Sequence, residues 1–232
     1  MEQRFFWDRE RIAFFHDAAE NSPFYRQLAE EITPVLRPED HILDAGCGLG
    51  YLSAALIPYC RSVTAVDRDP IAVSDLMTRA VRLSSLHPIT ADVQTIPLSY
   101  DVIVCCRFGS TEEALRLFRR SDARMLVLIK RNAAEHRIAA SGTAHTRTAE
   151  DAVRVLKERL VSHTARSVSY SFNQPFRSMD AAIRFYCLYR NAPPTDNETK
   201  SFAARLEQTG DPVFPLVLPI RNELTIFFAE RT

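Results

Sequence analysis

Ten residues constrain this chain more than any others: His41-Ile42-Leu43-Asp44-Ala45-Gly46-Cys47-Gly48-Leu49-Gly50. A short apolar run reaches an acidic residue, passes three alternate glycines and enters a helical pattern from Tyr51. Glycines suit such a turn because side chains would block a ligand from the backbone, and because the turn can require positive φ. The amides at the start of the next helix can hold a carboxylate or another polar group. The spacing is Gly-x-Gly-x-Gly, whereas the dinucleotide-binding turn is Gly-x-Gly-x-x-Gly, a wider cradle for a pyrophosphate. An anionic Asp44 beside a pyrophosphate would be repelled. It suits a ligand that carries positive charge.

The surroundings of that turn predict an α/β fold. Apolar runs with strand character fall at 41–45, 62–66, 88–91, 100–106 and 125–130, with helical patterns between them at 51–59, 71–83 and 111–119. Strand and helix alternate at the spacing of βαβ units, which predicts a doubly wound parallel sheet with right-handed crossovers and a ligand at the carboxyl ends of its strands. Beyond 130 the pattern predicts a helix at 150–161, a strand at 167–172, a helix at 179–189, a Pro-Pro link, a helix at 196–208 and a last strand at 224–230. The first 38 residues carry Phe5, Phe6, Ile12, Phe15, Phe24, Leu28, Ile32 and Leu36 at helical spacing, broken at Asn21-Ser22-Pro23, and so predict a helical cap. A chain of 232 residues suits one sizeable core. The expected division is a single domain, with a cap at 1–38, a ligand-binding half at 39–130 and a C-terminal half completing the sheet at 131–232.

Two more carboxylates fall where a nucleoside would need them. Asp67 ends the second strand about twenty residues after the turn, the place for a carboxylate that accepts both ribose hydroxyls. Asp92 follows the third strand and could accept an adenine amino group, with Val93 offering its amide to a ring nitrogen. Asp69-Pro70, by contrast, has the form of a helix N-cap. Together these residues resemble motifs I, II and III of the class I S-adenosylmethionine-dependent methyltransferases, over about residues 40–130. The resemblance implies a seven-stranded sheet of order 3-2-1-4-5-7-6 with its last strand antiparallel. It implies that S-adenosylmethionine is the cofactor and S-adenosylhomocysteine the product, with no metal. Asp44 and the turn of Gly46, Cys47, Gly48 and Gly50 would contact the methionine part, Asp67 the ribose, Asp92 and Val93 the adenine, and Arg68 the adenine ring.

The segment after the fourth strand, Cys105-Cys106-Arg107-Phe108-Gly109, carries none of the signatures that identify an acceptor. It lacks the N/D-P-P-Y/F motif of nitrogen methylation, the aspartate of metal-dependent catechol-type enzymes and the Pro-Cys pair of cytosine C5 enzymes. Cys106 falls near that last position, but cysteines at strand ends more often serve as small apolar residues, and only Arg107 stands beside it to favour a thiolate. Arg107 is expected at the cofactor and Phe108 in the acceptor pocket, with Trp7 and Tyr25 as further acceptor-side candidates from the cap. His136 and His145 follow the fifth strand and could reach the site as a general base, with a solvated loop position as the alternative for either. No catalytic residue is assigned, because the donor is already activated and alignment carries most of the rate.

Charge and composition narrow the partners. With 29 basic and 29 acidic residues there is no global positive field for a polyanion, which disfavours nucleic acid. No stretch approaches the ~20 apolar residues of a membrane helix, and Met1 to Arg11 lacks the apolar core of a signal peptide. Five cysteines without a C-x-x-C pair point to a reduced, cytoplasmic setting. The expected function is methyl transfer to a small molecule, with a protein or RNA acceptor, or a non-catalytic S-adenosylmethionine binder, as alternatives.

Overall fold

A computed structural model describes residues 6–132, 148–190 and 193–231. In chain order the elements are α1 (Arg9–Glu20), α2 (Phe24–Ile32), β1 (His41–Ala45), α3 (Tyr51–Leu56), β2 (Ser62–Asp67), α4 (Pro70–Ala80), β3 (Leu86–Thr90), β4 (Val102–Cys106), α5 (Thr111–Arg120) and β5 (Met125–Arg131). They continue with α6 (Ala149–Glu158), β6 (His163–Ser171), β7 (Gln174–Phe176), α7 (Met179–Leu188), α8 (Asp196–Ala203), β8 (Glu207–Gln208), β9 (Leu216–Leu218) and β10 (Arg221–Glu230).

Seven strands form one sheet in the order β3-β2-β1-β4-β5-β10-β6, and β10 runs antiparallel to both its neighbours. This is the expected 3-2-1-4-5-7-6 arrangement, with β10 as its seventh strand. Successive residues of the central strands alternate between two cores. Ile42, Val102 and Val127 face α2, α3 and α4, while Leu43, Ile103 and Leu126 face α5 and α6. Burial on both faces explains why these strands read as unbroken apolar runs rather than alternating ones. Local signals set the helix starts. Asp69 caps α4 ahead of Pro70 by accepting from Ile71 N and Ala72 N, and Ser110 with Glu113 forms a capping box on α5.

The two helices of the cap separate in role. From α2, Phe24, Leu28, Ala29 and Ile32 are buried against the sheet, so this helix belongs to the main core. Phe14 of α1 packs instead with Phe176, Phe185 and Phe202 in a third core, built on α7, α8 and a small sheet of order β7-β9-β8. Sequence patterning does not anticipate that small sheet, and the helix expected at 196–208 ends at Ala203, with Glu207 and Gln208 in β8. Among the described residues no helix is long and apolar enough to cross a membrane.

Candidate functional site

The sheet gathers three of the expected carboxylates along one rim. Asp44 lies at the carboxyl end of β1, Asp67 ends β2 and Asp92 follows β3, and these strands are parallel neighbours in register, with Asp44 opposite Ala65 and Asp67 opposite Thr90. Between β1 and α3 the chain reverses through Gly46, Gly48 and Gly50 at φ of +73°, +53° and +70°. Gly46 N and Cys47 N both donate to Val66 O, at 2.8 and 3.0 Å, so the turn is bound to the end of β2. Asp67 completes the tie: its Oδ2 accepts from Gly48 N and its Oδ1 from Asp69 N, both at 2.9 Å. A carboxylate has about four acceptor positions. Two remain for a ligand.

Asp44 is buried under the turn, where Ser53 Oγ donates to its Oδ2 at 2.5 Å. Burial raises its carboxyl to about 6; the Ser53 hydrogen bond pulls the other way and the charge of Asp67 adds to the rise. A carboxylate so incompletely compensated favours a cationic partner. Arg68 is exposed beside Asp67. Asp92 is exposed as well, and its Oδ1 accepts from Gln94 N at 2.9 Å in a turn, with Val93 buried behind it.

Aromatic side chains wall the glycine turn. A Cβ on Gly46 would overlap the ring of Phe108, and one on Gly48 would lie 3.5 Å from Trp7 Cζ2. Trp7 is fixed by its amide, which donates to Asp69 Oδ2 at 3.1 Å, and by an edge-to-face contact with Phe15 at 5.3 Å. Tyr25 stacks on Tyr51 at 5.7 Å and meets Phe24 and Phe172 edge to face. All three acceptor-side candidates from the sequence, Trp7, Tyr25 and Phe108, thus belong to one aromatic surround. The guanidinium of Arg107 is turned toward α2, donating from Nη2 to Tyr25 Oη at 3.2 Å and lying 5.8 Å over Phe24. His136 and His145 lie outside the described residues.

Comparison with known proteins points to a family. Residues 42–127, running from β1 into β5, match the family described as a methyltransferase domain. Over these residues the chain resembles a methyltransferase domain. Over 111 residues the chain is 33% identical to EEF1A lysine methyltransferase 4 of Mus musculus, a match covering 43% of this chain and 41% of that protein. Over 99 residues it is 31% identical to ribosomal RNA small subunit methyltransferase A of Xylella fastidiosa (strain 9a5c), covering 43% and 37%. The matches therefore span about two fifths of these relatives. Among solved structures, magnesium protoporphyrin IX methyltransferase from Synechocystis PCC 6803 with bound SAH aligns at a TM-score of 0.55 with 14% identity, over 97% of this chain and all of that one. A Bacillus halodurans C-125 protein assigned to the methyltransferases aligns at 0.58 with 14% identity, over 88% and 97%. At such identity these likenesses establish the fold.

Around the glycine turn, several groups hold the structure together without having been legible in sequence. His16 of α1 joins Tyr51 Oη through Nδ1 at 2.7 Å and Asp75 Oδ1 through Nε2 at 3.0 Å, which locks the cap onto the first residue after the glycine turn. Its partners stand 35 and 59 positions away, so no local spacing reveals them. Lys130, fully buried at the end of β5, donates from Nζ to Phe108 O at 3.2 Å and Gly109 O at 2.9 Å. Burial raises the thiol of Cys106 above its ordinary range, although Arg107 acts against the rise, so it rests as a thiol rather than a nucleophilic thiolate. No cluster of three or more metal-binding side chains occurs among the described residues.

Proposed function

We propose that this chain transfers the methyl group of S-adenosylmethionine to a small-molecule acceptor. The observation that carries the donor reading is the shared rim: a buried Asp44 with a raised carboxyl, an Asp67 with spare acceptor positions and an Asp92 on the next strand, around a turn of positive-φ glycines. In this reading Asp44 takes the donor's amino group, Asp67 the ribose hydroxyls and Asp92 with Val93 the adenine edge. Arg68 lies beside the adenine. Gly46, Cys47, Gly48 and Gly50 let the methionine part approach the backbone. The domain's family and fold support the same donor.

The donor supplies a methyl group on a positively charged sulfur, open to in-line attack. What remains for the chain is to hold two partners in line and keep water out, and alignment of this kind is worth ~7–11 kcal/mol in favourable systems. Trp7, Tyr25 and Phe108 serve that purpose as apolar walls. A small acceptor is supported by the balance of 29 basic against 29 acidic residues and by the cap that packs beside the turn. The names of the curated relatives favour a second reading, a protein or RNA acceptor. A screen of metabolites, peptides and RNA, scored by S-adenosylhomocysteine release, separates the two.

Titration calorimetry tests the donor. S-adenosylmethionine should bind the wild type and NAD should not, and Asp67→Ala should weaken the donor by about 1–3 kcal/mol, as when a charged hydrogen-bond partner is removed. Binding of NAD, or no heat with S-adenosylmethionine, would refute the assignment.

A further inference from the structure

Arg107 is held in an unusual conformation. It is the first residue after β4, and its φ of +53° lies in the left-handed region that residues other than glycine seldom enter. Two attachments impose that backbone. Arg107 N donates to Ile129 O at 2.9 Å, and the buried ammonium of Lys130 grips the carbonyls of Phe108 and Gly109. Backbone strain over-determined in this way clusters at working sites. Its consequence here is to turn a partly buried guanidinium inward, toward α2.

That guanidinium has no carboxylate partner among the described residues; its side-chain bonds go to Tyr25 and to Cys106. Withdrawing a cation from water without a counter-anion is unfavourable, and the planar group is shaped to receive a carboxylate. Tyr25 adds a second donor. Its hydroxyl accepts from Arg107, so its own proton points elsewhere and finds no acceptor among the described residues. Burial pushes Tyr25 up to about 12, so the proton stays on. Two donors thus converge beside the rings of Phe24, Tyr51 and Phe172. Among the described residues no carboxylate bonds to either donor, although the charge of Asp44 reaches Tyr25.

We propose that Arg107 and Tyr25 bind a carboxylate on the methyl acceptor, and that the acceptor is an organic acid with an apolar body. This rests on the donor-binding reading, and the donor's own carboxylate is the other source of the same chemistry. Calorimetry with benzoate, and with benzamide as its neutral isostere, distinguishes the cases on the free protein and on protein saturated with S-adenosylhomocysteine. Benzoate should bind at least tenfold more tightly than benzamide. Arg107→Met should remove that preference, and Tyr25→Phe should weaken benzoate several-fold.

Equal affinity for benzoate and benzamide overturns the proposal, as does unchanged benzoate binding in both variants. Should Arg107→Met fail to fold, the contrast on the wild type and the Tyr25→Phe variant still decide. The donor's tail is probed with 5′-methylthioadenosine, which lacks the carboxylate. Weakening of S-adenosylhomocysteine but not of methylthioadenosine by Arg107→Met assigns the site to the donor and overturns the acceptor claim. A wild type that fails to bind S-adenosylhomocysteine sinks the donor reading instead, while one that binds it and ignores ligand charge sinks only this proposal.

Discussion

Replacing Asp44 by asparagine tests the group proposed to recognise the donor. The side chain is 1% exposed and Ser53 is its sole hydrogen-bond partner among the described residues, so the amide keeps the shape and one acceptor while removing the charge. Its folded pKa of about 6 stands above the ordinary 3.8. Between those two values the folded protein retains a proton that the unfolded chain has released, and stability falls as pH rises. Each pH unit in that window corresponds to about 1.4 kcal/mol, so the full loss from this group is about 3 kcal/mol, complete above pH 6 to 7. The substituted amide cannot titrate. Urea unfolding at pH 4 and pH 7.5 should therefore show the variant gaining up to about 3 kcal/mol on the wild type as pH rises, with other carboxylates cancelling in the comparison.

The same group should control the donor in the opposite sense. With a pKa of about 6 only roughly a tenth of the free protein carries an ionised Asp44 at pH 5, against nearly all of it at pH 7.5. Affinity that needs the carboxylate scales with that fraction, so S-adenosylmethionine should bind about tenfold more weakly at pH 5. The Asp44→Asn protein should bind weakly at both. Parallel stability profiles for the two proteins would refute the raised pKa, and a wild-type affinity indifferent to pH would refute the pairing with a cation.

Further perturbations test the frame around the site. Gly46→Ala should destabilise the protein by more than the ~1–2 kcal/mol of a left-handed non-glycine residue, because its methyl group would overlap Phe108, whereas Gly48→Ala should show the backbone cost alone; thermal melts compare the two. Asp40, buried beside Arg124 and accepting also from Arg37 N, should cost about 3 kcal/mol as Asp40→Ala by leaving its cation unpaired, while adding Arg124→Met to Asp40→Ala should recover part of that loss in a double-mutant cycle. His16→Ala should lower the urea midpoint by an equivalent of about 1–2 kcal/mol through loss of its bonds to Tyr51 and Asp75, with the m-value unchanged.

What was legible in the sequence was whatever short-range chemistry encodes. The strands His41–Ala45 and Met125–Arg131 announce themselves because both their faces are buried, and Asp69-Pro70 announces a helix because a cap and its proline are adjacent. The sheet of β7, β8 and β9 could not be read, since strands of two and three residues carry no period, and Leu216–Leu218 acquires its partners only through the fold. The same division runs through the site. Asp44, Asp67 and Asp92 stood out because each lies at or just past the carboxyl end of its own strand, and parallel pairing of β1, β2 and β3 brings them to one edge.

The acceptor side obeys the opposite logic. Arg107 gains its meaning from a backbone angle, from Lys130 on the neighbouring strand and from Tyr25, 82 positions earlier. None of these is a spacing. A donor shared across a family needs a fixed cradle that one strand-turn-helix unit can encode, whereas the proposed acceptor site draws on side chains from α2 and the loop after β4, which only the folded sheet brings together. Substrate choice in this domain is therefore expected to change with Tyr25, Arg107 and Phe108 while donor affinity stays with Asp44 and Asp67. Tyr25→Phe, Arg107→Met and Phe108→Ala should alter which acceptors turn over and leave S-adenosylhomocysteine bound.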